Sequence, residues 1–236
     1  MKKLFSLLVA AMMLTVSQAQ QFNDPNVVVR QVSGFNSIRI SNAIDLYLTQ
    51  GTEEAVAVSA DKAAYRDHIK TVVEGGVLKI TYENVGDGFK MGNRKLKAYV
   101  AIKTLVKLSA SGASDVLVSG RLTGDELSID MNGASDFKGS IEYKKLDIKL
   151  SGASDANITG TVQELIVDVN GASDLKAYEL RTDNCVVDAS GASDVKITVN
   201  KELKARASGA SGIYYRGDGV IKDIKSSGAS TISSKN

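Results

Sequence analysis

Apolar and polar residues alternate along the second half of the chain, and one recurring pentapeptide interrupts the alternation. It reads Ser/Asn-Gly-Ala-Ser-Asp or a near copy, and its glycines recur at intervals of 18 to 21 residues. A period near 20 residues is typical of stacked repeat architectures, in which each repeat buries its apolar side against its neighbours. The glycines are Gly112, Gly133, Gly152, Gly171, Gly191, Gly209 and Gly228.

Three apolar columns lie six, four and two residues before each of the first six glycines. One repeat fills them with Leu146, Ile148 and Leu150, and the column six residues before the glycine starts at Val106. Strict alternation is the pattern of a strand with one buried face. Because one such strand cannot bury its face alone, the pattern predicts that successive coils stack on one another.

The pentapeptide predicts a corner between two strands. Glycine adopts positive φ without steric cost, and Ser, Asn and Asp side chains bond to nearby backbone groups. The alanine after the glycine, present in all seven copies, suggests an inward position with room for one methyl group. A second apolar stretch follows each corner, as in residues 195–197. The predicted fold is therefore all-β, a parallel β-helix or β-solenoid with coils of about 19 to 20 residues, right-handed by default.

Residues 20–104 alternate less regularly than residues 105–236, which hold the seven corners. We predict that the first segment is a diverged part of the same solenoid or a β-rich cap for its open end. Residues 38–45 fit the repeat with Asn42 at the glycine place, and asparagine tolerates positive φ better than most residues. A short helix is predicted over residues 61–69, capped by Asp61.

Residues 1–19 have the pattern of a secretory signal peptide. Lys2 and Lys3 precede an apolar run over residues 4–16, and small residues at Ser17 and Ala19 suit signal peptidase. The run is short for a bilayer span, so we expect no transmembrane segment after cleavage. No cysteine stands directly after the cut, so we expect no lipoprotein anchor. The expected location is the periplasm, the cell surface or the extracellular space.

Charge and cysteine content narrow the classes of partner. The formal net charge is +2, and the two lysines of the predicted signal peptide account for it. A neutral mature chain argues against nucleic acid or acidic lipid as the main partner. The single cysteine, Cys185, stands in an apolar column, so we expect a buried thiol without an internal disulfide.

Several of these features together resemble a known family. The exported N-terminus, the opening Gly-Phe-Asn-Ser-Ile at residues 34–38 and the reiterated Ser-Gly-Ala-Ser-Asp-Val are similar to the head GIN domain proteins, which are described as auto-transporter adhesins and are frequent in Bacteroidetes. The resemblance covers residues 34–230. It implies a β-helical exported protein with an adhesin role, and it brings no catalytic residues.

An acidic column is the main candidate for chemistry. Stacking would align the aspartates of five corners, and carboxylates at coil spacing repel by about 1 kcal/mol per pair in water. Two interpretations stay open: each carboxylate caps its own turn by accepting backbone N–H bonds, or Ca²⁺ between the coils relieves the repulsion. The candidate ligands are Asp115, Asp136, Asp155, Asp174 and Asp194. No other cofactor is expected.

Aromatic residues near the end of the repeats offer a second candidate. Tyr214, Tyr215 and Arg216 follow the sixth corner. They could present rings for sugar stacking, or they could pack over the end of the solenoid, and the sequence alone supports both interpretations.

The functional prediction is an exported, non-enzymatic β-solenoid that acts as an adhesin or binds a glycan or another component of the cell envelope. A periplasmic structural or envelope-stress module is the alternative. A polysaccharide-processing β-helix enzyme is a more distant one, because the coils are short and lack substrate-binding loops. A groove of clustered acids with aromatic walls would favour that enzyme.

Overall fold

The computed structural model describes Asp24, residues 26–83 and residues 94–235. Within them the chain forms a β-solenoid with coils of about 19 residues, which confirms the predicted all-β fold. The predicted signal peptide lies outside the described residues. The strands are β1 (Val28–Arg30), β2 (Ser37–Ile40), β3 (Ile44–Gln50), β4 (Ala55–Ser59), β5 (Ile69–Glu74), β6 (Val77–Tyr82), β7 (Leu96–Ile102), β8 (Lys107–Ala110), β9 (Val116–Met131), β10 (Asp136–Leu150), β11 (Asp155–Val169), β12 (Asp174–Ala189), β13 (Asp194–Ala207), β14 (Gly212–Arg216), β15 (Val220–Ser226) and β16 (Thr231–Ser234).

All the strands belong to one continuous hydrogen-bonded sheet, and the corners divide it into two parts, one before and one after each corner. Strands that lead into the corners form the pre-corner sheet, in the order β5-β6-β2-β8, the second halves of β9 to β13, then β15. Strands that leave the corners form the post-corner sheet, in the order β1-β4-β7-β3, the first halves of β9 to β13, then β14 and β16.

Neighbouring coils from β9 to β13 pair in parallel, which places equivalent residues of the repeat side by side. Leu146 pairs with Leu165, and Leu165 pairs with Cys185. Bulges in the middle of the strands absorb the differences in coil length, for example between Ala177 and Arg181 of β12. The inward columns therefore run unbroken along the stack.

The inward columns form the hydrophobic core. Leu146, Ile148 and Leu150 are each 0% exposed. Cys185 is buried as predicted, and this burial raises the pKa of its thiol. The prediction for Val106 was wrong: it is 39% exposed, because β8 begins only at the following residue and Leu105 fills the interior instead.

The N-terminal segment adds two coils in an order that differs from the sequence. Strands β2 and β3 form one coil, and Asn42 at its corner has a φ of 68°, as its place in the repeat predicted. The next coil, β6 and β7, stacks on the outer side of that first coil, while β8 and β9 stack on its other side. A domain boundary at residue 104 stays a prediction.

Antiparallel strands cover the N-terminal end of the stack. Strand β4 pairs with β7, and β5 pairs with β6. As a result Ile69 of β5 and Leu78 of β6 are buried, at 1% and 0% exposure, while Val73 of β5 is half-buried against the core.

The predicted helix over residues 61–69 was wrong in length and in its cap. The helix, α1 (Ala63–Arg66), has four residues, and its N-cap is Lys62, without a side-chain capping bond. Pairing of β5 with β6 begins at Ile69 and limits the helix.

Candidate functional site

The corners are built by glycines in the left-handed region of the backbone. Gly152 has a φ of 81°, and a Cβ there would lie 2.5 Å from the carbonyl oxygen of Gly133 in the preceding coil. The same carbonyl accepts the N–H of Ala153 at 2.7 Å. Glycine alone meets both conditions without strain. All seven corner glycines have φ between 73° and 85°: Gly112, Gly133, Gly152, Gly171, Gly191, Gly209 and Gly228.

The corner's inward position belongs to serine, so the prediction of an inward alanine was wrong. Ala153 and its equivalents are exposed, because the turn at the glycine directs them outward. Ser154 is 0% exposed, its N–H donates to Ser173 Oγ at 3.1 Å, and its own Oγ accepts the N–H of Ser135 at 3.4 Å. This serine column gives buried backbone N–H groups their acceptors, as a buried corner requires.

The five predicted aspartates do form a column on the outer side of the corners. Asp136 pairs in register with Asp155, which pairs with Asp174. The Oδ1 atom of Asp155 accepts the backbone N–H of Asp174, and Asp174 accepts that of Asp194 in the same way, both at 3.3 Å. Asp136, Asp155 and Asp174 therefore accept N–H bonds from the next coil rather than from their own turn, which corrects the capping interpretation for these three residues.

Burial and neighbouring charges raise the pKa of two aspartates on the outer side of the corners, Asp136 of the column and Asp45 at the start of β3. Partial burial, and then the charge of Asp115, raise the pKa of Asp136 above its ordinary 3.8; the N–H of Asp155 and the charge of Lys176 oppose the rise. Burial and the charge of Asp115 also raise the pKa of Asp45. The column therefore carries an electrostatic cost at neutral pH.

The aspartate column supplies fewer ligands per coil than a Ca²⁺ site needs. Each coil contributes one carboxylate, whereas Ca²⁺ takes six to eight oxygen ligands. Among the described residues, no group of three or more acidic, histidine or cysteine side chains is arranged to hold a metal ion. Lys176 Nζ already lies 3.2 Å from Asp155 Oδ2. Calcium binding by Asp115, Asp136, Asp155, Asp174 and Asp194 stays a prediction.

The outward residues of the post-corner sheet form a second column beside the aspartates, and we call the two columns the outer face. Strands stack about 4.8 Å apart, and outward residues two apart in one strand are separated by about 7 Å. The outer face is thus a regular array of mostly polar side chains, with Leu117 as an apolar member. The second column consists of Tyr47, Leu117, Lys138, Asn157, Lys176, Lys196 and Tyr214.

A shallow groove of about 250 Å³ crosses the outer face near its N-terminal end. The Tyr47 ring in it stacks on Tyr99, with the ring centroids 5.1 Å apart. The groove offers carboxylate acceptors, an ammonium donor and an aromatic ring within one concave surface. Its lining includes Asp45, Tyr47, Asp115, Leu117, Asp136 and Lys138.

This groove has the clustered acids and aromatic wall that would favour a polysaccharide-processing enzyme. Glycosidase carboxylates flank the scissile bond from opposite sides, about 5 to 9.5 Å apart. Here the acids follow one another along a single column, and Asp45 and Asp136 each accept an N–H from the next coil. That arrangement suits hydrogen bonding to a ligand better than general acid–base chemistry across one bond.

The aromatic residues after the sixth corner take different positions. Tyr215 packs against the core, whereas Tyr214 lies on the outer face beside Lys196. The Arg216 guanidinium carbon lies 4.1 Å from the centroid of the Tyr178 ring. Of the two interpretations left open by the sequence, packing applies to Tyr215 and surface presentation applies to Tyr214.

Three polar or aromatic residues of the groove, Asp45, Tyr47 and Lys138, were missed by the sequence analysis. Asp45 occupies the aspartate place of the coil whose corner holds Asn42, and Tyr47 follows two residues later. The fit of residues 38–45 to the repeat was the signal that could have added Asp45 to the column.

Family comparison agrees with this architecture. The family model described as "Putative auto-transporter adhesin, head GIN domain" matches residues 34–219. The chain belongs to the head GIN domain family. The resemblance drawn from the sequence is thereby confirmed.

Solved structures share the fold of this head GIN domain protein. A protein from Bacteroides fragilis titled a putative adhesin is 23% identical, with a TM-score of 0.81, covering 88% of this chain and 96% of that one. One from Parabacteroides distasonis titled a putative adhesin is 20% identical, with a TM-score of 0.72, covering 87% and 95%. Another from Parabacteroides distasonis, titled a putative lipid binding protein, is 22% identical, with a TM-score of 0.65, covering 88% and 97%.

No curated protein matches the chain. In the part of the chain that the structure describes, no helix is long and apolar enough to cross a membrane.

Proposed function

We propose that this protein is an exported, non-enzymatic binding protein of the adhesin type, and that the outer face binds a glycan of the cell envelope or of another cell's surface. The groove carries the proposal, because it combines an aromatic ring, carboxylates and an ammonium group in one concavity. The titles of the structural relatives support an adhesin role.

The chemistry of the groove matches that of sugars. The carboxylates of Asp45, Asp115 and Asp136 accept hydrogen bonds from hydroxyl groups, and Lys138 donates to ring or hydroxyl oxygens. The Tyr47 ring provides an apolar surface with a polar tip, which suits the apolar face of a pyranose. Beyond the groove, the columns repeat along the stack, so an extended polymer can contact successive coils.

A panel of immobilised polysaccharides tests this proposal. The panel holds neutral, acidic and amino-sugar polymers, and retention of the purified protein is measured on each. We expect retention on at least one polymer and a loss of about tenfold in affinity for Tyr47→Ala, because the ring contact disappears. Val186→Ala, at an exposed position of the pre-corner sheet, is the control and should bind like the wild type. Failure of every polymer to retain the protein would refute the glycan proposal.

The clustered acids favour a polysaccharide-processing enzyme as the second candidate. Each polysaccharide that retains the protein is incubated with it in solution, and new reducing ends or unsaturated products are measured. We expect the wild type to release no more cleavage product than Asp136→Asn does. Product release by the wild type that Asp136→Asn abolishes would favour the enzyme instead.

Protease shaving of intact source cells tests where the outer face is presented. Release of peptides from residues 105–236, while a periplasmic control protein stays protected, supports an adhesin. Full protection until the outer membrane is opened would contradict the adhesin role and favour a periplasmic structural or envelope-stress module.

A further inference from the structure

The two ends of the solenoid differ in how their inward residues are covered. At the N-terminal end Ile69 of the edge strand β5 and Leu78 of β6 are buried, and Val73 of β5 packs half-buried against the core. At the other end β15 pairs only with β13 among the described residues, so its outer edge has no strand beside it. Ile221 and Ile224 continue the inward columns of Leu203 and Ala205, yet they are 45% and 39% exposed.

Exposed apolar residues are concentrated on this strand. Val220 is 60% exposed, and it lies next to Ile221 in sequence. An exposed strand edge with apolar side chains is a template for pairing with another strand. The end of the pre-corner sheet is therefore a surface for β-augmentation.

The sequence of β15 is complementary to itself in one antiparallel register. With a two-fold axis between Lys222 and Asp223, Ile221 faces Ile224 of a second copy, and Lys222 faces Asp223 of that copy. Directly opposite residues of an antiparallel pair lie on the same side of the sheet. An irregularity at Lys222 in the pairing with β13 places both Ile221 and Ile224 on the inward side although they are three residues apart, so this register joins the two cores.

We propose that β15 is a self-association edge, and that it pairs in this register with β15 of a second copy of this chain. The resulting interface is isologous, with the same strand from both copies. The pre-corner sheets of the two copies become one sheet, and two outer faces are presented by one particle.

The charged residues of β15 select this register over others. Among the described residues, Lys222 and Asp223 form exposed ion pairs, at 3.4 Å to Glu202 and 3.7 Å to Lys225. Exposed ion pairs contribute little to stability. Losing them in order to form the pair between Lys222 and Asp223 of the second copy therefore costs little free energy. A shift of one residue places Asp223 opposite Asp223 of the second copy, and a shift of two residues places Lys222 opposite Lys225, so both shifts bring like charges together and are disfavoured.

Sedimentation velocity over a range of protein concentrations tests the proposal. We expect a concentration-dependent dimer for the wild type and an increase of at least about tenfold in its dissociation constant for Ile224→Lys, which puts charges into the joined core. Ile166→Lys is the matched control, since Ile166 is 36% exposed at the middle of the pre-corner sheet. A wild type that stays monomeric, or equal effects of the two lysine substitutions, would overturn the proposal.

Charge exchange tests the register itself. Lys222→Glu and Asp223→Lys should each weaken the dimer, because each places like charges across the axis. Mixing these two variants should restore association as a heterodimer, since opposite charges then face each other at both positions. Thermal melts at low concentration check that each variant folds. Folded single variants that show no heterodimer on mixing would contradict the register.

Discussion

At the scale of single residues, each corner depends on one glycine and one serine. The glycine permits a left-handed backbone and leaves space for the preceding coil's carbonyl oxygen. The serine gives a buried N–H of the preceding coil its acceptor. Both residues stabilise contacts between coils as well as their own turn, so their substitution should lower the stability of the stack.

Gly152→Ala should lower the free energy of unfolding by about 2 to 4 kcal/mol, because it adds both left-handed strain and a clash with Gly133. Chemical denaturation measures the change. Gly51→Ala is the control, since a Cβ at Gly51 meets nothing within 4 Å. Equal stability of the two variants would contradict the role assigned to the corner glycines.

Ser173→Ala should cost about 1 to 3 kcal/mol, because the buried N–H of Ser154 loses its acceptor. Ala172→Ser changes the exposed neighbouring residue and should stay within about 0.5 kcal/mol of the wild type. If Ser173→Ala were as stable as Ala172→Ser, the serine column would have no structural role.

Asp136→Asn should stabilise the protein at pH 7. The raised pKa of Asp136 means that the fold disfavours its ionised form, so this carboxyl contributes most to stability in acid, and that contribution is lost as the pH rises through the folded pKa. Asparagine cannot ionise and still accepts an N–H bond. We expect a Tm about 1 to 2 °C above the wild type at pH 7, with the difference vanishing near pH 3.

Asp218→Asn removes an exposed charge outside the column and is the control for net charge. Thermal melts of both variants from pH 3 to pH 7 give the comparison. A gain for Asp136→Asn that is the same at all pH values would contradict the electrostatic cause.

At the scale of the coil, each repeat begins and ends at equivalent positions of neighbouring coils. Asp155 and Asp174 pair in register, so the chain between them is one complete turn of the stack. The alternation and the glycine period predicted the length of the coil and its stacking from sequence, because each coil repeats the same local pattern. The inward serine was not predictable in this way, since alternation alone does not tell how a turn redirects its side chains.

Deleting residues 155–173 should leave a folded solenoid shorter by one coil. Ser154 is then joined to Asp174, and the aspartate and serine columns close over the gap. We expect the β-rich circular dichroism spectrum to persist with a Tm lower by a few degrees, as nearest-neighbour stacking predicts.

Deleting residues 155–163 is the control, because it removes about half a coil and brings a pre-corner strand directly after a corner. This variant should lose its cooperative transition. Equal behaviour of the two deletions would show that the coil is not the unit of stacking.

At the scale of the whole molecule, distant parts of the chain build both the covered end and the groove. Asp45 and Asp115 lie in neighbouring coils although 70 residues separate them in sequence. The antiparallel pairing of β4 with β7 likewise joins segments that share no repeat pattern. Local periodicity therefore predicted the solenoid, whereas the order of the first coils and the groove depend on contacts between distant segments.

Two lysines of β10 allow the outer face to be tested against the opposite surface. Lys138 lies on the outer face in the groove, and Lys149 lies on the pre-corner sheet between Asp130 and Asp168. Both are exposed, and their replacement by alanine removes the same charge and side chain from the same strand.

The affinities of Lys138→Ala and Lys149→Ala for the polysaccharide that retains the wild type show whether the outer face is the binding surface. We expect Lys138→Ala to bind about tenfold more weakly, as the loss of a charged hydrogen bond predicts, and Lys149→Ala to bind like the wild type. A loss confined to Lys149→Ala, or an equal loss in both, would contradict the assignment of binding to the outer face.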